Sequence, residues 1–157
     1  MATHRRNGTL ARFRFQFVAF FLLGAASILP DVVFAQDDAV AQGDAQAIRA
    51  VIEAQLAAFA ADDANTAFSF ATAEIQKTFG SPENFMGMVR ASYPVVYRPA
   101  SVVFLEPVQL EAEVAQAVQM VDDSDRVWVA LYRMQRQPDN SWRIGGCVLK
   151  SLPGERS

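Results

Sequence analysis

The sequence predicts an α+β domain in which N-terminal helices pack on one face of an antiparallel sheet. Apolar residues recur every three or four positions between residues 44 and 93, which is the period of amphipathic helices. From residue 101 onwards, runs rich in Val, Phe and Ala alternate with polar residues, and turn sequences separate the runs. Helical segments followed by hairpin-linked strands indicate an open sheet that helices cover on one side.

The helical part is predicted to begin at Asp44, a residue type that favours helix N-caps. The apolar stripe of the first helix consists of Ile48, Val51, Ile52, Leu56 and Phe59. Asp62-Asp63 predicts the end of this helix and the cap of the next. Gly80 predicts a helix end after Ile75 and Phe79. Ser81-Pro82-Glu83 then predicts the start of a last helix, which Tyr93-Pro94 ends.

The strand part is predicted as four segments: 101–109, 111–121, 126–135 and 141–149. Pro107 lacks a backbone N–H and limits how far the first segment runs as a central strand. Asp122–Asp125 predicts a turn, and Gln137–Asn140 predicts a hairpin connection. Gly145-Gly146 indicates a bulge or a close approach of the backbone to a neighbour.

One face of the third predicted strand is strongly apolar. It carries Trp128, Tyr132 and Met134, and we expect this face to be turned away from the helices. Apolar surface of this size is seldom left in contact with water. The prediction is therefore a homodimer through the sheet face.

Residues 1–35 have the three parts of a secretory signal peptide. Four arginines precede an apolar run at 17–29, and Val33-Phe34-Ala35 offers a cleavage site. We therefore expect export, to a bacterial periplasm or out of the cell. The alternative is an uncleaved N-terminal anchor. The remaining chain is predicted as a disordered leader (36–43), a single domain (44–152) and a tail (153–157).

The charge of the predicted mature chain is acidic. Four of the 14 basic and one of the 17 acidic residues lie in 1–35, which leaves 10 basic and 16 acidic residues and a net charge of −6. Nucleic-acid phosphates and anionic membrane surfaces both require clustered Lys and Arg. We therefore expect no nucleic-acid partner and no membrane partner after signal cleavage.

The histidine and cysteine content excludes several chemistries. The only histidine is His4, in the predicted signal, and the only cysteine is Cys147. A Ser-His-Asp triad and a His-ligated metal are therefore excluded from the mature chain. The acids at 122–125 lack the spacing of a calcium loop. We expect no metal and no cofactor, and we expect Cys147 to be a buried, unreactive thiol.

The chain resembles the family called domain of unknown function 4864, within the nuclear-transport-factor-two-like (SnoaL-like) superfamily, from about Ala47 to Leu149. The residues that carry the resemblance are Asp63-Ala64, Ala67–Ala71, Ile75–Gly80, Phe85, Met88-Val89, Tyr93–Pro99, Tyr132 and Ser141–Cys147. The closing Ser141–Cys147 element (SWRIGGC) is the most distinctive part. The resemblance implies a cystatin-like cone, in which a curved sheet wraps around helices and leaves a pocket, and it implies no activity.

Three groups of polar residues are candidates for the mouth or wall of such a pocket. Tyr93, Tyr97 and Arg98 supply two phenols and a guanidinium that could hold an anion, or they form a packed connection. Asp62-Asp63 either supplies a pocket carboxylate, with Asp63 the candidate, or ends one helix and caps the next. Arg133, with Arg143 on the adjacent strand, forms either an anion site on the concave face or solvated charges on the convex face.

The predicted pocket wall consists of Phe68, Phe85, Tyr93, Tyr97 and Trp128, although each could equally be a core residue. The function predicted is non-enzymatic binding of a small apolar or weakly anionic molecule, or of another protein. One alternative is a pocket enzyme of the isomerase or hydrolase type, with Asp63 or Tyr97 in proton transfer. Another is an interaction module whose cone is filled by its own side chains.

Overall fold

A computed structural model of the protein describes residues 39–152. The predicted signal peptide, the first residues of the leader and the tail lie outside the described residues. Five helices come first along the chain: α1 (Gln42–Ala60), α2 (Ala64–Ser69), α3 (Ala73–Phe79), α4 (Pro82–Ser92) and α5 (Pro94–Tyr97). Within the described part, none of these helices has the length and hydrophobicity that crossing a membrane requires.

Helix α1 begins two residues before its predicted start. Its N-cap is Ala41, which forms no side-chain cap, and Asp44 lies in the first turn rather than at the cap. That position still suits an acid, since the positive end of the helix dipole is close, and the carboxylate also pairs with Arg136. The predicted stripe is confirmed, because Ile48, Ile52 and Phe59 are almost fully buried.

The predicted boundaries of the other helices rest on local capping and are confirmed. Asp63 and Ser81 each accept a hydrogen bond from the backbone N–H three residues ahead, at the starts of α2 and α4. Gly80 follows α3 with a φ of 73°, a conformation that glycine adopts at little cost. The short helix α5 was not predicted, because a helix of four residues that begins at Pro94 is too short to show a periodic pattern.

Five strands follow, and all their pairings are antiparallel: β1 (Ser101–Phe104), β2 (Val108–Gln109), β3 (Val114–Val121), β4 (Val127–Arg136) and β5 (Trp142–Ser151). The sheet order is β1-β3-β4-β5, and β2 also pairs with β3. The first predicted strand is broken into β1 and β2 at residues 105–107, where Pro107 lies. The fold class is therefore α+β with an open antiparallel sheet, as predicted.

The predicted assignment of the two faces of β4 is wrong. Tyr132 and Met134 are almost fully buried beneath the helices, and Trp128 packs against the same core. The opposite face is the exposed one, where Leu131 of β4 is 41% exposed and Val148 of β5 is 52% exposed. Alternation along a strand defines two faces, but it does not say which of two apolar faces the helices cover.

A bulge interrupts the pairing of β4 with β5, as the two glycines predict. Arg133 pairs with Gly146 while the next residue, Met134, pairs with Ile144, so Gly145 has no partner. A Cβ atom at Gly145 would lie 2.8 Å from Nε2 of Gln135. A side chain at this position would therefore displace the Gln135 side chain, and the bulge changes the direction of the last strand.

The segment between α2 and α3 runs beside β5. The Ile144 backbone N–H donates to the Phe70 carbonyl oxygen at 2.9 Å, and the Thr72 N–H donates to the Ile144 carbonyl oxygen at 3.0 Å. Ala71 thereby forms an isolated parallel bridge with Ile144. This contact joins the helical layer to the margin of the sheet.

Candidate functional site

A cavity of about 210 Å³ lies between the helices and the inner face of β4 and β5. Its position follows from the fold, because α1, α3 and α4 supply one wall and the two strands supply the other. Most of its lining is apolar: Phe59, Ala71, Ile75, Phe79, Phe85, Met88, Val89, Val96, Ile144 and Gly146. A space with such walls suits an apolar molecule rather than a charged one.

An aromatic cluster centred on Phe85 forms part of the helical wall. The Phe85 ring lies 5.3 Å from that of Phe68, 5.5 Å from that of Phe79 and 6.0 Å from that of Phe59, measured between centroids. Of the predicted pocket residues, Phe85 lines the cavity, whereas Phe68 lies behind it and supports it. Pairs in such tilted and edge-on arrangements stabilise the fold beyond the burial of their surface.

Four polar side chains also reach this cavity: Gln55, Tyr93, Tyr132 and Cys147. Gln55 is buried and donates from Nε2 to the Ala67 carbonyl oxygen at 3.1 Å. The Tyr93 hydroxyl donates to the Cys147 carbonyl oxygen at 3.3 Å. The Tyr132 hydroxyl is shielded from solvent and has no hydrogen-bond partner among residues 39–152. Buried hydroxyls are nearly always paired, so this exception calls for an explanation.

Two side chains of the cavity, Cys147 and Tyr132, hold their protons more tightly than they would in water. Burial raises the pKa of the Cys147 thiol from 9.0 to about 12. Burial also raises the pKa of Tyr132 well above its usual value, and Cys147, its partner across the strands, adds to the shift. A thiol in this state is a poor nucleophile, which agrees with the predicted unreactive cysteine.

A wider groove of about 720 Å³ opens on the surface beside the cavity, and Tyr93 lines both. Trp128 lies in this groove and donates from Nε1 to Asp122 Oδ2 at 2.9 Å. The Arg126 guanidinium carbon lies 5.5 Å from the centre of the Trp128 ring. The hydrogen bond from Trp128 is the main cause that lowers the pKa of Asp122 to about 2. The predicted acidic turn at 122–125 is thus a hairpin turn in which Asp122 accepts hydrogen bonds from the residues that follow it.

Tyr97 and Arg98 do not form an open anion site, because Asp62 already occupies their centre. Asp62 has a φ of 56°, and its carboxylate accepts from the Tyr97 hydroxyl. It also accepts from Arg90 at 2.7 Å and from Arg98 at 3.1 Å. These hydrogen bonds, led by the one from Tyr97, lower the pKa of Asp62. The cluster joins the end of α1 to α4 and α5, and sequence reasoning missed the role of Asp62 in it.

Asp63 and Arg133 lie away from the cavity. Asp63 caps α2, accepting from the Thr66 backbone N–H at 3.0 Å. Arg133 points from the outer face of β4 and pairs with Glu113 at 2.9 Å, and its side chain is 52% exposed. Arg143 instead donates to the Ser69 carbonyl oxygen, so the two arginines serve separate contacts. Of the eight predicted site residues, only Phe85 and Tyr93 line the cavity.

Within residues 39–152, no group of three or more His, Cys, Asp or Glu side chains is arranged to hold a metal ion. Several acids in that range instead have other partners: Asp62 and Glu113 pair with arginines, Asp63 accepts from a backbone N–H, and Asp122 accepts from the Trp128 indole.

Comparison with known proteins gives one match. No curated protein and no solved structure matches the chain. A family model with the description Domain of unknown function (DUF4864) matches residues 41–157, which is most of the sequence. The chain therefore belongs to the family Domain of unknown function (DUF4864).

Proposed function

We propose that this protein is a non-enzymatic binding protein that holds a small, neutral, apolar molecule in the cavity between its helices and its sheet. The observation that carries the proposal is the cavity itself, with about 210 Å³ of space and no charged side chain in its lining. Burying a charge without a partner is costly, so the weakly anionic ligand of the original prediction is disfavoured. A neutral apolar molecule loses water at no such cost.

The alternative of a pocket enzyme has less support. Its candidate groups for proton transfer, Asp63 and Tyr97, take part in a helix cap and in the Asp62 cluster. Neither residue lines the cavity. A general acid or base must come within hydrogen-bond reach of the reacting group, which these positions do not allow.

The test is a pair of identical substitutions, one inside the cavity and one outside. Val89→Phe fills part of the cavity, and Val103→Phe places the same ring on the outer face, where Val103 is 52% exposed. Toluene should raise the melting temperature of the wild type and of Val103→Phe, and should have little effect on Val89→Phe. An equal response of the two variants, or no response of the wild type, would contradict the proposal.

We further propose that the molecule forms a homodimer through the outer sheet face. The supporting observation is the row of exposed apolar side chains on this face, which includes Val103, Leu131 and Val148. Leu131→Lys should shift a dimer to monomer in sedimentation velocity without unfolding it, because this side chain is 41% exposed. A wild type that sediments as a monomer at high concentration would contradict the dimer.

The finer fold and the location of the protein also stay proposals. The order of helices before a meander of long strands, with a cavity between the layers, is what a nuclear-transport-factor-two-like cone would have.

Export is supported by the arginines, the apolar run and the small residue at position 35 of the sequence. The mass of the protein purified from the cell envelope tests export, since cleavage after Ala35 removes a defined mass.

A further inference from the structure

We propose that Tyr93 forms one end of the cavity and limits the length of its ligand, so that the protein binds compact apolar molecules and excludes long-chain lipids. This inference rests on the proposed binding function, and it adds the class of ligand and the residue that selects it. Three observations support it: the position of Tyr93 between two spaces, the path of its side chain and the volume of the cavity.

Tyr93 lies where the cavity meets the surface groove. Of the residues between 39 and 152 that line either space, it is the only one that lines both. Along β5 the lining changes from the cavity at Cys147 to the groove at Val148. In α5, Val95 lines the groove and its neighbour Val96 lines the cavity. The two spaces therefore adjoin at the Tyr93 ring, which separates them.

The Tyr93 side chain reaches from the helical layer to the sheet. Tyr93 is the C-cap of α4, and its backbone N–H donates to the Val89 carbonyl oxygen at 2.8 Å, which fixes the point where the side chain begins. At the other end, the hydroxyl donates to the Cys147 carbonyl oxygen of β5 at 3.3 Å. That distance is long for a hydrogen bond, so the ring itself, rather than this bond, closes the gap between α4 and β5.

The volume of the cavity sets the length of chain that fits behind this ring. An apolar protein cavity of about 150 Å³ accommodates benzene. The cavity of this protein has about 210 Å³. The excess of about 60 Å³ is roughly twice the volume of a water molecule in the liquid, which leaves room for two or three further carbon atoms. A fatty acyl chain is several times longer and would have to pass through the position of the Tyr93 ring.

The space beyond the ring can accept a longer chain. The groove has about 720 Å³, and its lining includes the apolar residues Pro94, Val95, Trp128 and Leu149. Removing the Tyr93 ring should therefore join the cavity to the groove, and an alkyl chain should then extend from one into the other. A chain buried in this way gains affinity with each CH₂ group.

The experiment uses the n-alkylbenzenes from toluene to hexylbenzene as probes. Their dissociation constants are measured by gas chromatography of the free probe in the vapour above the protein solution. The proteins are the wild type, Tyr93→Ala, and two controls. Tyr93→Phe keeps the ring and loses only the hydroxyl, and Val96→Ala enlarges the cavity without reaching the groove, because Val96 lines the cavity alone.

The affinity of the wild type should rise about 4-fold for each CH₂ group up to propylbenzene and should not rise further from butylbenzene onwards. Tyr93→Phe should show the same break, and Val96→Ala should move it by at most about two carbon atoms, the size of the group removed. In Tyr93→Ala the affinity should continue to rise, so that this variant binds hexylbenzene about 10-fold or more tightly than the wild type does.

The outcomes separate this inference from the function on which it rests. If the affinity of the wild type rises steadily through hexylbenzene, or if Tyr93→Ala breaks at the same chain length as the wild type, the role of Tyr93 is refuted and the binding function stands. If no alkylbenzene binds to the wild type, the binding function itself fails. The wild-type series needs no substitution, and if Tyr93→Ala does not fold, Tyr93→Leu should still move the break to longer chains.

Discussion

Replacing Tyr132 by phenylalanine should stabilise the ligand-free protein, although most substitutions in a core destabilise. The hydroxyl is buried and has no partner in residues 39–152, so its desolvation is uncompensated. Such a group costs about 1–3 kcal/mol. Removing the oxygen also removes some packing contacts, and we therefore expect a net gain of about 1 kcal/mol in the free energy of unfolding.

The assay is urea unfolding of protein freed of ligand by unfolding and refolding. With an m-value of about 2 kcal/mol/M, the gain moves the midpoint up by about 0.5 M at unchanged m. Tyr93→Phe, which loses the hydrogen bond to the Cys147 carbonyl, should move the midpoint down by a similar amount. A loss of 1 kcal/mol or more in Tyr132→Phe would refute the reasoning, because it would mean that the hydroxyl is paired, for example with a buried water.

Three further predictions follow from other contacts. Gly145→Ala should cost about 1 kcal/mol, because its Cβ displaces the Gln135 side chain and breaks the hydrogen bond from Gln135 to Glu113. Gly146→Ala, whose Cβ would meet nothing within 4 Å, should change stability by less than about 0.5 kcal/mol in the same urea assay. The pKa of the Cys147 thiol is raised in the folded state, so the thiol of the unfolded chain loses its proton first as pH rises. Between pH 9 and 10.5 the free energy of unfolding of the wild type should therefore fall by roughly 1.5 kcal/mol more than that of Cys147→Ala. An equal fall in the two proteins would contradict a shielded thiol. Asp63→Asn should keep the melting temperature, since asparagine also caps helices, while Asp63→Ala should lower it; equal losses would contradict the capping role.

Much of the fold could be predicted because it depends on local information. A cap such as Ser81 and a bulge glycine such as Gly145 are set by residues within a few positions along the chain or directly across a hairpin. The predicted start of α1 was two residues too late, because an aspartate near a helix N-terminus can be either the N-cap or an acid in the first turn, and Asp44 is the latter. The face of β4 that the helices cover is a tertiary property, and both faces of this strand are rich in apolar residues.

The cavity was harder to predict, because its polar groups come from positions with no distinctive pattern. Tyr132 was assigned to the outer face together with its strand neighbours. Gln55 is a single polar residue beside the apolar stripe of α1 and gives no signal until the helices are packed. Asp62 meets Arg90 across 28 positions of the chain, a contact that no periodicity encodes. Of the aromatic residues that line the cavity, sequence reasoning identified Phe85 and Tyr93 and missed Phe59, Phe79 and Tyr132.

The bridge between the α2–α3 segment and β5 has a consequence for association. A strand at the margin of a sheet offers unpaired N–H and C=O groups on which another chain can add a strand, and this is a common route to aggregation. Here both backbone groups of Ile144 are taken by Phe70 and Thr72 of the same chain. The backbone groups at the start of β5 are therefore not available to a strand of another chain, and an intermolecular sheet could extend over this part of β5 only after the segment that joins α2 to α3 had detached.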